Sequence, residues 1–365
     1  MTFGRLLKRC FKTRHKKIKL PESPAFLIIL MGSLGDVTRG LCVAPRIKAV
    51  FPGSHITWLI EPRCEDVVSL SSCIDRVLVF DRDHWPSGLK RLVHELKKSR
   101  FDCVLDLQRH FKSGFFSFIS SARYRIGFHP GNAKEGNWIF NNTYIPWCDE
   151  FYPKIQHYLK FAQYLGDTQS AFPNQKQPEC LDFGISFSRL LSTASHVLSK
   201  TKSPFIAMVL GSTWVSKEWH FDNYADLIKK IFDTTDLYIV LVDTMAKYDM
   251  ACNLEKVTDS SRLINLVGQT SVPELAAVLR CAQAGIGPDC GSAHIAAAAG
   301  TPYITLFGPT SPERTAPFGS EHLVVTKNLP CAPCYKKKCP GKNTVCMGFI
   351  GAEDVMDRLH TALKP

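Results

Sequence analysis

The sequence predicts an α/β protein with two parallel-sheet domains. Short apolar runs alternate with amphipathic stretches from Phe26 onward, and the alternation restarts at about Phe205 after a polar segment. Strands that alternate with helices form parallel sheets covered by helices. Two glycine-rich turns, 32–36 and 287–291, directly follow predicted strands. Because such sheets bind ligands at the carboxyl ends of their strands, both turns are candidate binding loops.

The elements follow from this alternation. In the first half, strands are predicted at 26–30, 55–60, 76–80 and 103–107, with a helical stretch from the first turn to about Val50 and a loop at 128–153. In the second half, strands are predicted at 205–210, 237–242, 284–287 and 303–307, and helices at 223–232, 273–281 and 292–299. The expected divisions are a basic tail (1–22), a first domain (23–165), a linker region (166–203), a second domain (204–350) and a C-terminal helix (351–365). The polar, proline-containing segment 166–180 opens that linker.

Composition excludes several classes of protein. With 365 residues, 45% hydrophobic and 21% charged, the chain is neither disordered nor collagen-like, and it is long enough to bury a large core. The apolar run 25–30 is short and is soon followed by Asp36 and Arg39, which disfavours a secretory signal. No stretch approaches the roughly 20 apolar residues of a spanning helix. We therefore expect a cytoplasmic protein in which most of the 14 cysteines are reduced.

The basic charge is concentrated at the N-terminus. The formal charge is +12, and residues 1–20 contain eight Lys or Arg and no acid. Phe3, Leu7 and Phe11 recur every four residues, so a helix would present them on one face surrounded by bases. That pattern suits an anionic membrane surface. A solvated tail and a nucleic-acid arm remain alternatives.

The first glycine-rich turn reads Met-Gly-Ser-Leu-Gly-Asp and ends at Asp36. It is neither a dinucleotide fingerprint nor a P-loop, because the required glycine spacing and the Gly-Lys-Ser/Thr sequence are missing. At the start of a helix, Asp36 is either an N-terminal cap or a general base.

Two loops of the second half have the chemistry to bind a diphosphate. The backbone N–H groups of Cys290, Gly291 and Ser292 would point from a helix N-terminus at a phosphate. Asp289 would accept hydrogen bonds from sugar hydroxyls or orient the loop, and His294 is equally consistent with a packed core histidine. The loop 211–219 offers hydroxyls and one ammonium group, on Ser212, Thr213 and Lys217. Its alternative is a surface loop with a solvated lysine.

Four cysteines form a compact array near the C-terminus. In a reducing compartment, their C-x2-C-x4-C-x6-C spacing indicates a structural tetrathiolate zinc site, although it is more compact than that of a usual zinc ribbon. A thiol cluster without metal and labile disulfides are the alternatives. The residues are Cys331, Cys334, Cys339 and Cys346.

Taken in order, these motifs resemble glycosyltransferase family 9, the ADP-heptose:lipopolysaccharide heptosyltransferases, over about residues 25–355. The matching segments are LIILMGSLGDVTRG with PRIKAVFPGSHITWL, FDCVLDLQRHFKS with YRIGF, GSTWVSKEW, LINLVGQTSVPELAAVL, and GPDCGSAHIAAAAGTPYITLFGPTSPERTAPFG. The resemblance implies a GT-B architecture, in which two Rossmann-like domains face each other across a cleft and the second holds the donor. It implies inverting, metal-independent transfer of a heptose from ADP-heptose to the inner core of a lipid-linked saccharide.

The resemblance also implies roles for individual residues. Asp36 matches the catalytic base. The family's donor-binding positions correspond in this sequence to Ser212, Thr213, Lys217, Asp289, Cys290, Gly291 and His294. Four basic residues of the first half are candidates to bind an anionic acceptor. Each of them alone is also explained as a solvated surface base. They are Arg39, Arg63, Arg109 and Lys112. The final helix is expected to pack toward the N-terminal domain.

Two departures from the family pattern concern the donor site. Cys290 stands where Thr or Ser is usual, and residues 242–247 lack the Gly and Glu that members often use for the ribose.

Alternative functions are a same-fold enzyme for another nucleotide sugar, a related epimerase, and a non-catalytic basic protein that binds membrane or nucleic acid. We expect a nucleotide sugar, a lipid-linked saccharide and a membrane surface as partners, and no nucleic acid.

Overall fold

The computed structural model describes residues 18–84, 86–166, 181–341 and 344–364. The chain divides into two compact units, 1–185 and 186–365. Most of the basic tail and the start of the predicted linker lie outside the described residues. None of the described helices is both long enough and apolar enough to cross a bilayer.

The first unit contains a six-stranded parallel sheet in the order β3-β2-β1-β4-β5-β6. Its strands are β1 Ala25–Ile29, β2 His55–Ile60, β3 Arg76–Val79, β4 Cys103–Asp106, β5 Tyr124–Gly127 and β6 Thr143–Tyr144. Its helices are α1 Leu34–Gly40, α2 Val43–Val50, α3 Glu65–Ser69, α4 Ser87–Lys98, α5 Phe111–Ile119 and α6 Lys154–Tyr164, with 3₁₀ turns at Pro62–Cys64 and Asn137–Phe140.

The second unit contains a parallel sheet of the same topology, in the order β12-β11-β10-β7-β8-β9. Its strands are β7 Phe205–Val209, β8 Tyr238–Val242, β9 Leu263–Asn265, β10 Ala284–Pro288, β11 Tyr303–Phe307 and β12 Val324–Thr326. Its helices are α7 Phe187–Thr193, α8 Ser195–Leu198, α9 Phe221–Thr234, α10 Tyr248–Thr258, α11 Val272–Cys281, α12 Gly291–Ala299, α13 Pro312–Thr315, α14 Val345–Gly348 and α15 Ala352–Ala362, with 3₁₀ turns at Val215–Lys217, Met245–Lys247 and Glu321–Leu323.

The two parallel sheets confirm the predicted α/β class, and every predicted strand is present. The predicted helix that runs to Val50 is interrupted after Gly40 and forms α1 and α2. The predicted loop 128–153 contains the last strand of the first sheet, β6, which is only two residues long and therefore carries almost no periodic signal.

Of the region predicted as a linker, 166–203, the structure describes residues 181–203 and Gly166. Ser72 donates its backbone N–H to the carbonyl of Gly184 in the first unit (2.7 Å). Helices α7 and α8 then pack on α11 of the second unit. The last helix, α15, buries Val355 and Leu359 in the core of the second unit, against α9 and β11.

Buried polar side chains hold the segment after β5 to the first sheet. Asp106, at the end of β4, is fully buried, and it accepts hydrogen bonds from Asn137 (2.6 Å) and Asn141 (3.2 Å). Burial raises the pKa of Asp106, while these donors favour its charged form. The network therefore fixes residues 137–141 against helix α5.

Asn137→Ala is expected to lower the stability of the first unit by about 1–3 kcal/mol, because a buried carboxyl group loses a donor. Thermal unfolding measures this as a lower Tm. Lys98→Ala, at the exposed end of α4, serves as the control and should leave the Tm unchanged. Equal Tm values for the two variants would contradict a stabilising role for the network.

Candidate functional site

Each sheet changes its direction of winding between two neighbouring strands, β1 and β4 in the first unit and β7 and β10 in the second. Loops leave such a pair in opposite directions, which opens a crevice at the carboxyl ends of the strands. The predicted site residues follow these strands: Asp36 and Arg109 in the first unit, Lys217 and Asp289 in the second. The topology therefore supports both clusters as binding loops.

Asp36 lies in a cluster of cations in the first unit. Its Oδ1 accepts hydrogen bonds from Arg39 (2.6 Å), Lys154 (2.9 Å) and Tyr158 (3.4 Å). Its Oδ2 accepts one from the hydroxyl of Ser33 (3.0 Å). Helix α6 supplies Lys154 and Tyr158 at i, i+4 spacing, so both face the same way.

The structure tests the interpretation of Asp36 as an N-terminal cap, whereas its role as a general base stays a prediction. Ser33 is the N-cap of α1, because its hydroxyl accepts the backbone N–H of Asp36 (3.3 Å). Asp36 is the third residue of the helix, and its side chain is 22% exposed. The N-cap interpretation is therefore wrong.

The pKa of Asp36 is lower than the pKa that a tuned general base would have. Burial alone would raise its pKa, as a tuned base requires. The charges of Arg39 and Lys154 outweigh burial and hold the pKa of Asp36 well below its usual range. Asp36 is therefore an ionised carboxylate at neutral pH.

The acceptor candidates lie in different surroundings. Arg39 is buried and paired with Asp36, so it is not a solvated surface base. Arg63 (3.3 Å) and Lys112 both pair with Glu61. Arg109 has a left-handed backbone with φ of 69°, and its guanidinium lies 5.2 Å from the centre of the Phe128 ring.

A pocket of about 620 Å³ opens beside the ends of β3 and β4. Gln108 of the pocket lining also borders the crevice, because its side-chain oxygen accepts a hydrogen bond from the backbone N–H of Met31 just after β1 (2.9 Å). The lining includes three basic side chains, and its residues are Phe80, Arg82, Gln108, His110, Lys112 and Glu135.

In the second unit, two of the predicted donor residues, Lys217 and Asp289, form a hydrogen-bonded cluster with Thr310. Lys217 donates to the carboxylate of Asp289 (2.7 Å) and to its backbone carbonyl (3.1 Å). Thr310 donates to the same carboxylate oxygen (2.7 Å). Asp289 therefore orients both loops, as one of its two predicted roles requires. The Lys217 ammonium also lies 4.7 Å from the centre of the Trp214 ring.

The remaining donor candidates lie at the start of α12. Cys290 occupies the N-cap position, Gly291 is the first helical residue, and His294 is buried. Burial raises the pKa of the Cys290 thiol to about 11, so the thiol is neutral. Ser212 is half-buried and Thr213 is exposed in the loop after β7. The start of α12 thus keeps its backbone donors, while the Cys290 thiol is a weaker donor than a hydroxyl.

Sequence reasoning missed partners that are distant in the chain. Lys154 and Tyr158 lie far from Asp36 in sequence, and only the lysine-tyrosine spacing on an amphipathic helix hinted at them. Asp243 accepts the backbone N–H of Gly211 (2.7 Å) and so joins the end of β8 to the donor loop. Lys247 pairs with Glu218 of that loop (2.8 Å).

Three of the four cysteines lie near one another, since burial and the neighbouring Cys334 and Cys339 thiols raise the pKa of Cys346. Across residues 18–84, 86–166, 181–341 and 344–364, no group of three or more His, Cys, Asp or Glu side chains is placed to hold a metal ion. All four cysteines are free thiols, and the zinc site at Cys331, Cys334, Cys339 and Cys346 stays a prediction.

The segment that carries these cysteines forms backbone hydrogen bonds with the donor loops. Ser216 donates its N–H to the carbonyl of Lys337 (3.2 Å) and its hydroxyl to that of Lys336 (2.6 Å). Tyr335 donates its N–H to the carbonyl of Pro309 (2.8 Å). The segment thus joins the loop after β7 to the loop after β11.

Comparisons with known proteins agree with this architecture. The lipopolysaccharide core heptosyltransferase OpsX of Haemophilus influenzae is 29% identical, with 84% of this chain and 85% of the relative covered. Lipopolysaccharide heptosyltransferase 1 of Pseudomonas aeruginosa is 24% identical, with 86% of each chain covered. The solved structure of the Escherichia coli heptosyltransferase WaaC with ADP has a TM-score of 0.73 at 21% identity and covers 93% of this chain and 99% of that one. This last likeness shows the GT-B-type fold.

Residues 89–345 match the family model described as glycosyltransferase family 9 (heptosyltransferase). This match spans more than half of the chain and includes the loops at 211–219 and 289–294. The chain belongs to glycosyltransferase family 9 and is an enzyme of that family.

Proposed function

We propose that the protein transfers a heptose from ADP-heptose to the inner core of lipopolysaccharide or a related lipid-linked glycan, with inversion and without a metal ion. The observation that carries the proposal is the Lys217–Asp289–Thr310 cluster beside the N-terminus of α12. Relatives named as lipopolysaccharide heptosyltransferases, and a structural neighbour solved with ADP, support the choice of substrates.

The donor half of the reaction needs positive charge at a departing diphosphate. Lys217 supplies an ammonium group, and the first N–H groups of α12 supply backbone donors and the positive end of the helix dipole. Such preorganised donors stabilise the charge that develops on a leaving group. In our proposal these groups take the place of a divalent cation, so turnover should persist in excess EDTA.

The acceptor half needs a group that takes a proton. Both cations and Tyr158 bind Oδ1 of Asp36, whereas Oδ2 has the hydroxyl of exposed Ser33 as its partner. We assign Oδ2 to the acceptor hydroxyl. The acceptor O–H bond breaks as its oxygen bonds to the anomeric carbon, the proton goes to Asp36, and the anomeric carbon–oxygen bond to ADP breaks. Because Asp36 is a weak base, we infer that it acts by orienting this hydroxyl and by taking its proton late in the transfer.

Other parts of the proposal concern location. We propose a cytoplasmic enzyme at the inner face of the cytoplasmic membrane, with residues 1–20 as a basic tether. The eight positive charges of that segment support this, since anionic lipids attract polybasic sequences.

Lys217→Ala is expected to raise the Kd for ADP-heptose by about ten- to hundredfold, because a charge-assisted hydrogen bond is lost. Thermal shift with ADP-heptose, ADP, UDP-sugars and GDP-sugars measures binding and donor choice together. Lys229→Ala, an exposed lysine of α9, is the matched control. A larger shift with a UDP- or GDP-sugar would instead favour a same-fold enzyme for another donor.

Asp36→Asn is expected to lower kcat by about 10²- to 10⁴-fold while the Kd for the donor stays the same. The amide keeps the shape of the side chain but cannot take the acceptor proton. Turnover is measured as ADP release in the presence of acceptor, and donor binding by calorimetry. Wild-type turnover in the variant would exclude Asp36 as the proton acceptor.

Lys154→Met is expected to make turnover sensitive to acid. In the wild type, Asp36 stays ionised far below the ordinary Asp pKa of about 3.9, so its protonation does not limit the rate at neutral pH. Removing one cation lets burial raise the pKa of Asp36, and the acidic limb of the kcat profile should move to higher pH. Lys160→Met, on the same helix, is the control. Identical profiles for the two variants would show that Lys154 does not set the charge state of Asp36.

A further inference from the structure

Helix α5 carries an exposed apolar surface in the first unit, which we call the aromatic face. Phe111, Phe118 and Ile139 are 53%, 57% and 67% exposed. Phe140 lies among them, with ring centres 5.0 Å from Phe111 and 6.3 Å from Phe118. Phe115 completes the set at 6.5 Å from Phe140.

The shape of the aromatic face is fixed from beneath. Asn137 and Asn141, on either side of Ile139 and Phe140, are buried and bonded to Asp106. Asn137 also bonds to the carbonyl of His110, just before α5 (2.8 Å). Exposed aromatic side chains held on a rigid base form a contact surface, since monomeric proteins seldom expose contiguous apolar side chains without a use.

Positive charge borders one end of this face. The Arg125 guanidinium lies 5.6 Å from the centre of the Phe118 ring, and its hydrogen bonds go to the neutral carbonyls of Phe140 and Ala122. Arg123, two residues before it, is exposed. At the other end, Glu135 bonds to His110 and to the backbone N–H of Phe111, which offsets charge there. Neither arginine forms an ion pair with another described residue. Apolar side chains beside such arginines match the boundary between acyl chains and anionic headgroups.

We propose that the aromatic face docks the first unit on an anionic lipid bilayer. This inference rests on the proposed function in one respect: a lipid-linked acceptor presents its sugars at such a surface. Helix α5 starts beside the end of β4, and its Lys112 lines the pocket described above. Docking through α5 would therefore bring the pocket-bearing edge of the first sheet to the membrane.

The test is co-sedimentation of the full chain with vesicles of phosphatidylcholine alone and with added phosphatidylglycerol. Phe118→Ser and Ile139→Ser are each expected to lower the partition coefficient on anionic vesicles by about tenfold, because an inserted apolar side chain is lost. Arg123→Gln should weaken binding to anionic vesicles only. Phe349→Ser, an exposed aromatic of the second unit, is the matched control and should bind as the wild type does.

Two results would overturn the proposal. The first is unchanged binding of the Phe118 and Ile139 variants at unchanged Tm, which would leave the basic tail as the membrane contact. The second is a wild-type dimer that Phe118→Ser dissociates in sedimentation velocity, which would assign the face to a second copy of the chain. Neither readout involves donor or acceptor, so failure here is separate from failure of the transferase assay. Turnover with an acyl-free acceptor should be the same in all four variants.

Discussion

The point at which each sheet reverses its winding determines where this protein can do chemistry. In both units the two central strands send their connections in opposite directions, so their carboxyl ends stay open to a ligand. A side chain bridges the loops at each of these points: Gln108 reaches Met31 in the first unit, and Lys217 reaches Asp289 in the second. The motifs of the sequence are therefore functional only because the shared topology places distant loops side by side.

The local parts of this arrangement could be predicted from the sequence, and the partners could not. Apolar runs identified the strands, and glycines identified the turns, because both signals lie within a few residues. Lys154 is bonded to Asp36 across more than a hundred residues, and no local pattern marks that pairing. The cysteine spacing predicted zinc, which stays a prediction, but the same segment also bonds through its backbone to the donor loops. Spacing along the chain could not indicate those contacts.

Asp36 shows how two electrostatic effects compete at one carboxyl group. Desolvation favours the neutral acid, while two cations within hydrogen-bond distance favour the carboxylate, and the cations prevail. A carboxylate held in this way has a fixed charge and a fixed direction but little basicity. In the reaction that we propose, its contribution is therefore geometric and electrostatic, with proton uptake following the attack of the hydroxyl.

The ion pair between Lys217 and Asp289 has a consequence for how the second unit meets an anion. The ammonium group is already matched by a carboxylate within hydrogen-bond distance before any ligand arrives. A diphosphate at this position would share or replace an existing counter-ion, so the pair acts as an ion-exchange site. In the donor site that we propose, the paired ammonium has little net charge to attract distant anions. Donor selection would then depend on the backbone donors of α12 and on the shape of the donor.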